Sequence, residues 1–307
     1  MSVNQDATAR QSGFMATARS LLRSMRPRQC TKNVFVFAAL LFDSKLFQLN
    51  YVLISLLGFA VFCLLSSAVY LINDVVDAPA DRLHPTKRNR PIAHGDIPTS
   101  LAIGWAALLA LVALAAAFAQ DPGFGMLGLV YFVSTVLYTF VLKHLVIVDV
   151  LIIALGFVLR VGGGAILVDA VRFSPWMYVC MLLLALLLGF GKRRQELVEL
   201  DGNASTRAIL SEYSVPLLDQ IISIVTGATL VAYAFYTFSA PQLPANHAMM
   251  LTIPFVMYGV FRYLYLVHVK GAGGAPDEIL LTDRPLQLSI ALWALTAIIA
   301  LYAFPPG

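Results

Sequence analysis

An all-α integral membrane protein is the fold class that this sequence predicts, and three observations predict it. Hydrophobic residues make up 59% of the 307 positions and charged residues 12%, with a mean hydropathy of +0.80. A soluble domain runs nearer half apolar and about a quarter charged. The apolar residues gather into nine runs, most with about the 20 residues that cross a ~30 Å hydrocarbon core. No run alternates with a period of two, which excludes a transmembrane β-barrel. The same composition excludes a disordered chain, most soluble folds and a nucleic-acid-binding module.

The runs are taken in chain order. The first, around Val34 to Phe47, is flawed by Asp43 and Lys45 and must begin before Lys32 to be long enough. The others lie at roughly 51–72, 100–119, 124–142, 145–168, 174–191, 215–238, 249–269 and 286–304. A polar, Arg-rich arm, residues 1–32, precedes them, and it has no apolar stretch of the kind a secretory signal carries. Residues 33–307 are read as a single nine-helix transmembrane catalytic domain. The three cysteines, Cys30, Cys63 and Cys180, fit neither a metal spacing nor a disulfide framework and are expected as free thiols.

Orientation follows from the basic residues. Of the 21 Lys and Arg, 17 fall in the arm and the even-numbered connections; only Lys45 and Arg172 fall on the other side, and Arg160 and Arg262 fall inside runs. That bias predicts a multi-pass protein of the cell (inner or plasma) membrane with its N-terminus and its long loops in the cytoplasm. A pI near 9.0 with basic residues in short loops points to membrane lipids and small phosphorylated substrates as partners, and not to nucleic acid.

The polar chemistry begins where the second run ends, at Leu71-Ile72-Asn73-Asp74-Val75-Val76-Asp77-Ala78-Pro79-Ala80-Asp81. Asn73, Asp77 and Asp81 are spaced i, i+4, i+8 and would share a helix stripe. Acidic acceptors that close repel one another unless a cation sits among them. Hard cations, Mg²⁺ above all, take such oxygens together with substrate phosphates, so Asn73, Asp74, Asp77 and Asp81 are the candidate metal ligands. The plainer alternative is a solvated loop capping a helix at the membrane surface. His84-Pro85-Thr86-Lys87-Arg88-Asn89-Arg90-Pro91-Ile92 follows. Carboxylates followed closely by cations suit a metal–diphosphate, in which Lys87 and Arg90 would hydrogen-bond the remaining oxygens. Topology and anionic lipid are the other reading of the same cations.

Asn-Asp-x-x-Asp-x-x-x-Asp at the end of the second run, with His-Pro-x-Lys-x-x-Arg-Pro-Ile after it, resembles the first aspartate motif of the UbiA superfamily of intramembrane prenyltransferases. The resemblance covers nearly the whole chain. It implies nine transmembrane helices around a central cavity, with Mg²⁺ holding a diphosphate at two cytoplasmic motifs. It also implies that Asp77 and Asp81 are catalytic, and it carries an active-site role to Tyr138, Lys143 and Asp149 through the family's Tyr-x-x-x-x-Lys and following acid. An ion partner for Lys143 or Arg160 is the other reading of Asp149, since an intramembrane carboxylate needs a reason. Arg160 is read either as a structural pair for an acid or as a phosphate ligand, and Gly162-Gly163-Gly164 after it as a close-packing surface.

The second motif departs from the aromatic prenyltransferases. Gly191-Lys192-Arg193-Arg194-Gln195-Glu196-Leu197 replaces carboxylates with cations, which shifts the site from metal toward a bare phosphate; enforcing topology is the alternative. With Arg26-Pro27-Arg28-Gln29-Cys30-Thr31-Lys32-Asn33 and a late motif, Pro276-Asp277-Glu278 followed by Asp283-Arg284-Pro285-Leu286, this segment resembles the decaprenyl-phosphate phosphoribosyltransferase branch, with Cys30 where that branch is expected to have Trp. The branch implies a 5-phosphoribosyl 1-diphosphate donor and a polyprenyl phosphate acceptor, in cell-wall precursor synthesis. Lys32, Asn33, Lys192, Arg193 and Glu196 then join Lys87, Arg90, Tyr138, Lys143 and Arg160 as substrate-binding candidates. The alternative within the superfamily is transfer from a prenyl diphosphate to an aromatic or quinone-precursor acceptor; outside it, a transporter. The five histidines look interfacial, and a homo-oligomer is neither required nor excluded.

Overall fold

Eight helices of the computed structural model are long and apolar enough to cross a membrane. Residues 15–170, 174–200, 208–274 and 276–304 are described. Among them the secondary structure is helical, with no β-strand. The helices are α1 (15–24), α2 (Ala38–Phe42), α3 (Leu49–Leu83), α4 (Pro91–His94), α5 (Thr99–Gln120), α6 (Pro122–Phe140), α7 (Val148–Leu167), α8 (Pro175–Leu200), α9 (Val215–Ser239), α10 (Ile253–His268), α11 (Pro276–Thr282) and α12 (Arg284–Ala303). Arg10, Arg172, Arg207 and Asp201 lie outside the described residues, as do the side chains of Pro276, Asp277 and Glu278.

The sequence predicts nine spans, and among the described residues the long helices number eight. The run at Val34 to Phe47 does not form one continuous α-helix. It is a 3₁₀ stretch, Pro27–Phe37, followed by the five-residue α2. Its contacts nonetheless step back along α3. Arg26 reaches Asp74, the Asn33 amide reaches Cys63, and Leu40 clusters with Tyr51 and Val52. A 3₁₀ helix rises about 2.0 Å per residue against 1.5 Å in an α-helix, so few residues cover much distance.

The chain forms two compact units. One comprises Met1–Val34 and Leu57–Val141; the other comprises Phe35–Leu56 and Leu142–Gly307. In the first unit α5 buries Ala102, Ala106, Ala110, Ala113 and Ala117. Such small residues let helices approach closely where lipid supplies no hydrophobic drive. The turn into α6 is set by Asp121, whose carboxylate accepts from the Phe124 N–H at 2.8 Å, with Pro122 in the first turn.

In the second unit the predicted glycine surface has a definite purpose. The Val36 carbonyl lies so close to Gly164 that any Cβ there would strike it. Outward-facing Leu53, Leu111, Ile224, Val231, Leu288 and Leu295 are all more than half exposed. Apolar exposure on this scale suits lipid and not water.

Candidate active site

The acidic stripe lies on α3, which runs unbroken through Pro79 to Leu83. Proline there removes one donor, and neighbouring turns carry the helix past it. An α-helix turns about 100° per residue, so each i, i+4 step drifts by roughly 40°. Asn73 and Asp77 therefore share a face, whereas Asp81 has rotated onto the face of Asp74. The hydrogen bonds divide the same way. The Asn73 amide donates to Asp77 at 2.9 Å, and both residues are half-buried. Asp74 and Asp81 are buried, and Arg90 bridges them at 3.2 and 2.7 Å. Arg26 also donates to Asp74, at 2.5 Å, and lies over the Tyr70 ring.

Local sequence places these arginines. Arg26 has a positive φ of 54°, which turns the chain from α1 into the 3₁₀ stretch. Past α3, the His84 Nδ1 accepts from the Thr86 N–H at 3.3 Å and the Lys87 N–H at 3.4 Å. That turn precedes the short helix Lys87–Asn89, and the extended Arg90 leads into α4. Among the described residues no three His, Cys, Asp or Glu side chains form a ready metal cage. The donor set nevertheless fits a hard cation. Mg²⁺ is usually held by one or two carboxylates completed by substrate phosphates, and the Asn73–Asp77 pair offers such oxygens.

The second cluster is in the other unit. Asp149, in the first turn of α7, is fully buried. Its Oδ2 accepts from Arg193 Nε at 2.7 Å, and its Oδ1 accepts from the Tyr213 hydroxyl at 2.8 Å. Arg193, only 4% exposed, also donates to Glu196 at 2.6 Å. The partner of Asp149 is thus neither of the two the sequence suggests: Arg193 takes the place of Lys143 or Arg160. The start of α7 adds its own positive end to this arrangement. Ile147, just before α7, has φ 69°, an outlier for a β-branched residue, and its N–H donates to the Tyr213 oxygen at 2.6 Å. Burial, the largest influence, pushes the Tyr213 hydroxyl well above its ordinary pKa, so it stays protonated as a donor.

The remaining candidates spread out. Arg160 donates to the Gly156 carbonyl at 2.7 Å and packs on Phe157, with 6% exposure. Asn33 is fully buried, its amide on Cys63 at 3.2 Å. Lys32, Tyr138 and Lys143 are half-buried, and Lys192 is exposed. Asp283 caps α12 by accepting from the Leu286 N–H at 2.9 Å and takes Arg262 through both oxygens, at 3.1 and 2.8 Å. That part of the late motif is accordingly engaged in structure. Arg194 is paired with Asp219 at 2.5 Å.

Two features have no clear signal in the sequence. Tyr213 sits 64 positions from Asp149, in a loop without a motif. The Gly271-Ala272-Gly273-Gly274 loop packs on the end of α8; a Cβ at Gly273 would lie 2.9 Å from the Gly191 carbonyl and 3.2 Å from Gln195. Only its glycine content hinted at a close approach.

An all-helical, multi-pass membrane protein with an Asp- and Asn-bearing helix end and a separate Arg-rich helix end is the class these features define. Residues 33–275 match the UbiA prenyltransferase family, and the chain belongs to it. It is 32% identical over 295 residues to the decaprenyl-phosphate phosphoribosyltransferase of Corynebacterium glutamicum, covering 94% of this chain and 88% of that one. It is 34% identical over 282 residues to the protein of that name from Mycobacterium tuberculosis, covering 90% and 92%. A UbiA homolog from Archaeoglobus fulgidus, solved bound to DMAPP and Mg²⁺, superposes with a TM-score of 0.69 at 17% identity, over 92% of this chain and 99% of that one. That likeness shows the fold.

Proposed function

We propose that this protein transfers the 5-phosphoribosyl group of 5-phosphoribosyl 1-diphosphate to a polyprenyl monophosphate of the decaprenyl type and releases diphosphate. The reaction is Mg²⁺-dependent and runs at the cytoplasmic face of the cell membrane, a side for the loop after α3 that the 17-to-2 bias of basic residues supports. Its product feeds cell-wall precursor synthesis. The observation that carries this reading is the 32–34% identity, over 90–94% of the chain, to relatives named for that activity.

The residues suit the chemistry. The ribosyl C1–O bond breaks and its electron pair leaves with diphosphate, while a lipid phosphate oxygen bonds to C1. That phosphate is already an anion at pH 7, so no strong base is called for, and none stands out. Mg²⁺ held by Asp77 and Asn73 together with phosphate oxygens would offset the charge of the leaving diphosphate. Arg90 fixes Asp74 and Asp81 around that position. In the other unit Asp149, Tyr213 and Arg193 brace the end of α8, from which exposed Lys192 presents a cation to the lipid phosphate.

Purified protein supplied with donor, polyprenyl phosphate and Mg²⁺ should release diphosphate, and the lipid should gain the mass of a phosphoribosyl group. No product with any chain length would end this reading. Product from a prenyl diphosphate and an aromatic acceptor would put the alternative in its place.

A further inference from the structure

Beside the acidic stripe, within the first unit, lies a cavity of about 240 Å³. Four cations line it, Arg23, Arg26, Lys87 and Arg90, together with one carboxylate, Asp74, which two of those arginines already hold. Ser24 lines it as well, at 1% exposure, and its hydroxyl has no hydrogen-bond partner. Leaving a buried hydroxyl unmet is costly, and native proteins meet such groups with a ligand or water. Each guanidinium has five N–H donors, so a bond to Asp74 leaves Arg26 and Arg90 able to reach an anion too. The volume is large beside the ~30 Å³ a water occupies in the liquid.

We infer that this cavity is a metal-free phosphomonoester subsite that takes the 5-phosphate of the sugar donor through Arg23, Ser24 and Lys87, with Arg26 and Arg90 behind them. The inference rests on the phosphoribosyl reading above and refines it. The cavity's carboxylate is engaged by arginines, so an anion here is met by cations and a hydroxyl and not by a bridging metal ion. A diphosphate that leaves needs the metal and belongs with Asp77 and Asn73. The sugar donor carries a second phosphate, on C5, and a prenyl diphosphate has none. Lys87 and Arg90 accordingly serve the terminal phosphate rather than the leaving group.

The test uses full-length protein in detergent and ribose 5-phosphate as the probe. Without Mg²⁺ the wild type should bind it, and Arg23→Ala and Ser24→Ala should each weaken binding by about tenfold, the worth of one charge-assisted or buried hydrogen bond. Arg23→Lys should recover part of the loss. Arg23 is exposed at the surface, and an unchanged melting temperature would show that its variants fold. In turnover the same alanines should raise KM for the donor and leave KM for polyprenyl phosphate alone. Binding that requires Mg²⁺, or unaltered affinity in both alanine variants, overturns the subsite. A raised KM for polyprenyl phosphate with the donor's unchanged gives the cavity to the lipid headgroup and overturns it as well. Ribose 5-phosphate binding with this pattern in a wild type that transfers no phosphoribose would remove the reaction and keep the phosphate subsite.

Discussion

The two polar clusters use the same parts in opposite proportion. At the end of α3, four oxygen-bearing side chains meet two arginines, and the arginines hold Asp74 and Asp81. At the start of α7, one carboxylate meets Arg193 and Tyr213, and both of its oxygens are engaged. The first arrangement brings more oxygens together than its arginines balance, which is what a divalent cation and its phosphates require. The second is closed around Asp149, and Lys192, one position before Arg193 on α8, is exposed. A carboxylate near a helix end thus serves as a brace at Asp149, which is fully buried, and is a metal ligand only on the reading proposed above at Asp77, which is half-buried.

The largest expected effect breaks the brace. Arg193→Ala leaves Asp149 charged and buried without its ion partner, a loss of about 3–5 kcal/mol for such pairs. A steep fall in the melting temperature of the purified protein should follow, with activity lost alongside. An unaltered melting temperature would mean that the pair does not brace the fold. Asp77→Asn tests the other side. It keeps the shape, removes the charge that would face the ion, and should cut Mg²⁺-dependent turnover by about 10²–10³-fold, the scale on which one charge-stabilising group at a reaction centre acts. The melting temperature should barely move, since Asp77 is half-buried and hydrogen-bonded to its helix neighbour Asn73. Wild-type turnover in this variant would remove the metal assignment.

What the sequence revealed of these clusters follows from distance along the chain. Asn73, Asp77 and Asp81 are legible because helical spacing is local, yet the drift that hands Asp81 to Asp74 and Arg90 shows only when the angle is followed over two turns. The cation-for-acid exchange at Lys192 to Arg194 was legible as composition; that Arg193 turns inward to Asp149, 44 positions earlier, was not. Tyr213 carries no motif, so nothing pointed to it. The stretch before α3 misled for a different reason. At α-helical rise its apolar residues are too few to span, but Pro27 begins a 3₁₀ segment whose longer rise needs fewer residues.

Tyr213 supplies the finest test of the brace. Its hydroxyl donates to Asp149 and accepts from the strained Ile147, so Tyr213→Phe removes two hydrogen bonds and no charge. About 1–3 kcal/mol of stability should go, less than for Arg193→Ala because the ion pair survives. The loss should depend on pH with a definite sign. Burial raises the hydroxyl's folded pKa above the ordinary tyrosine value of about 10. A raised pKa contributes stability that is fully present below that ordinary value and is lost as pH climbs through the folded one. The gap in melting temperature between wild type and Tyr213→Phe should therefore be constant from neutral pH to about 10 and narrow above it. A gap that widens in alkali would mean that the tyrosine reaches Asp149 as something other than a proton donor, and the closed geometry assigned to this cluster would have to be abandoned.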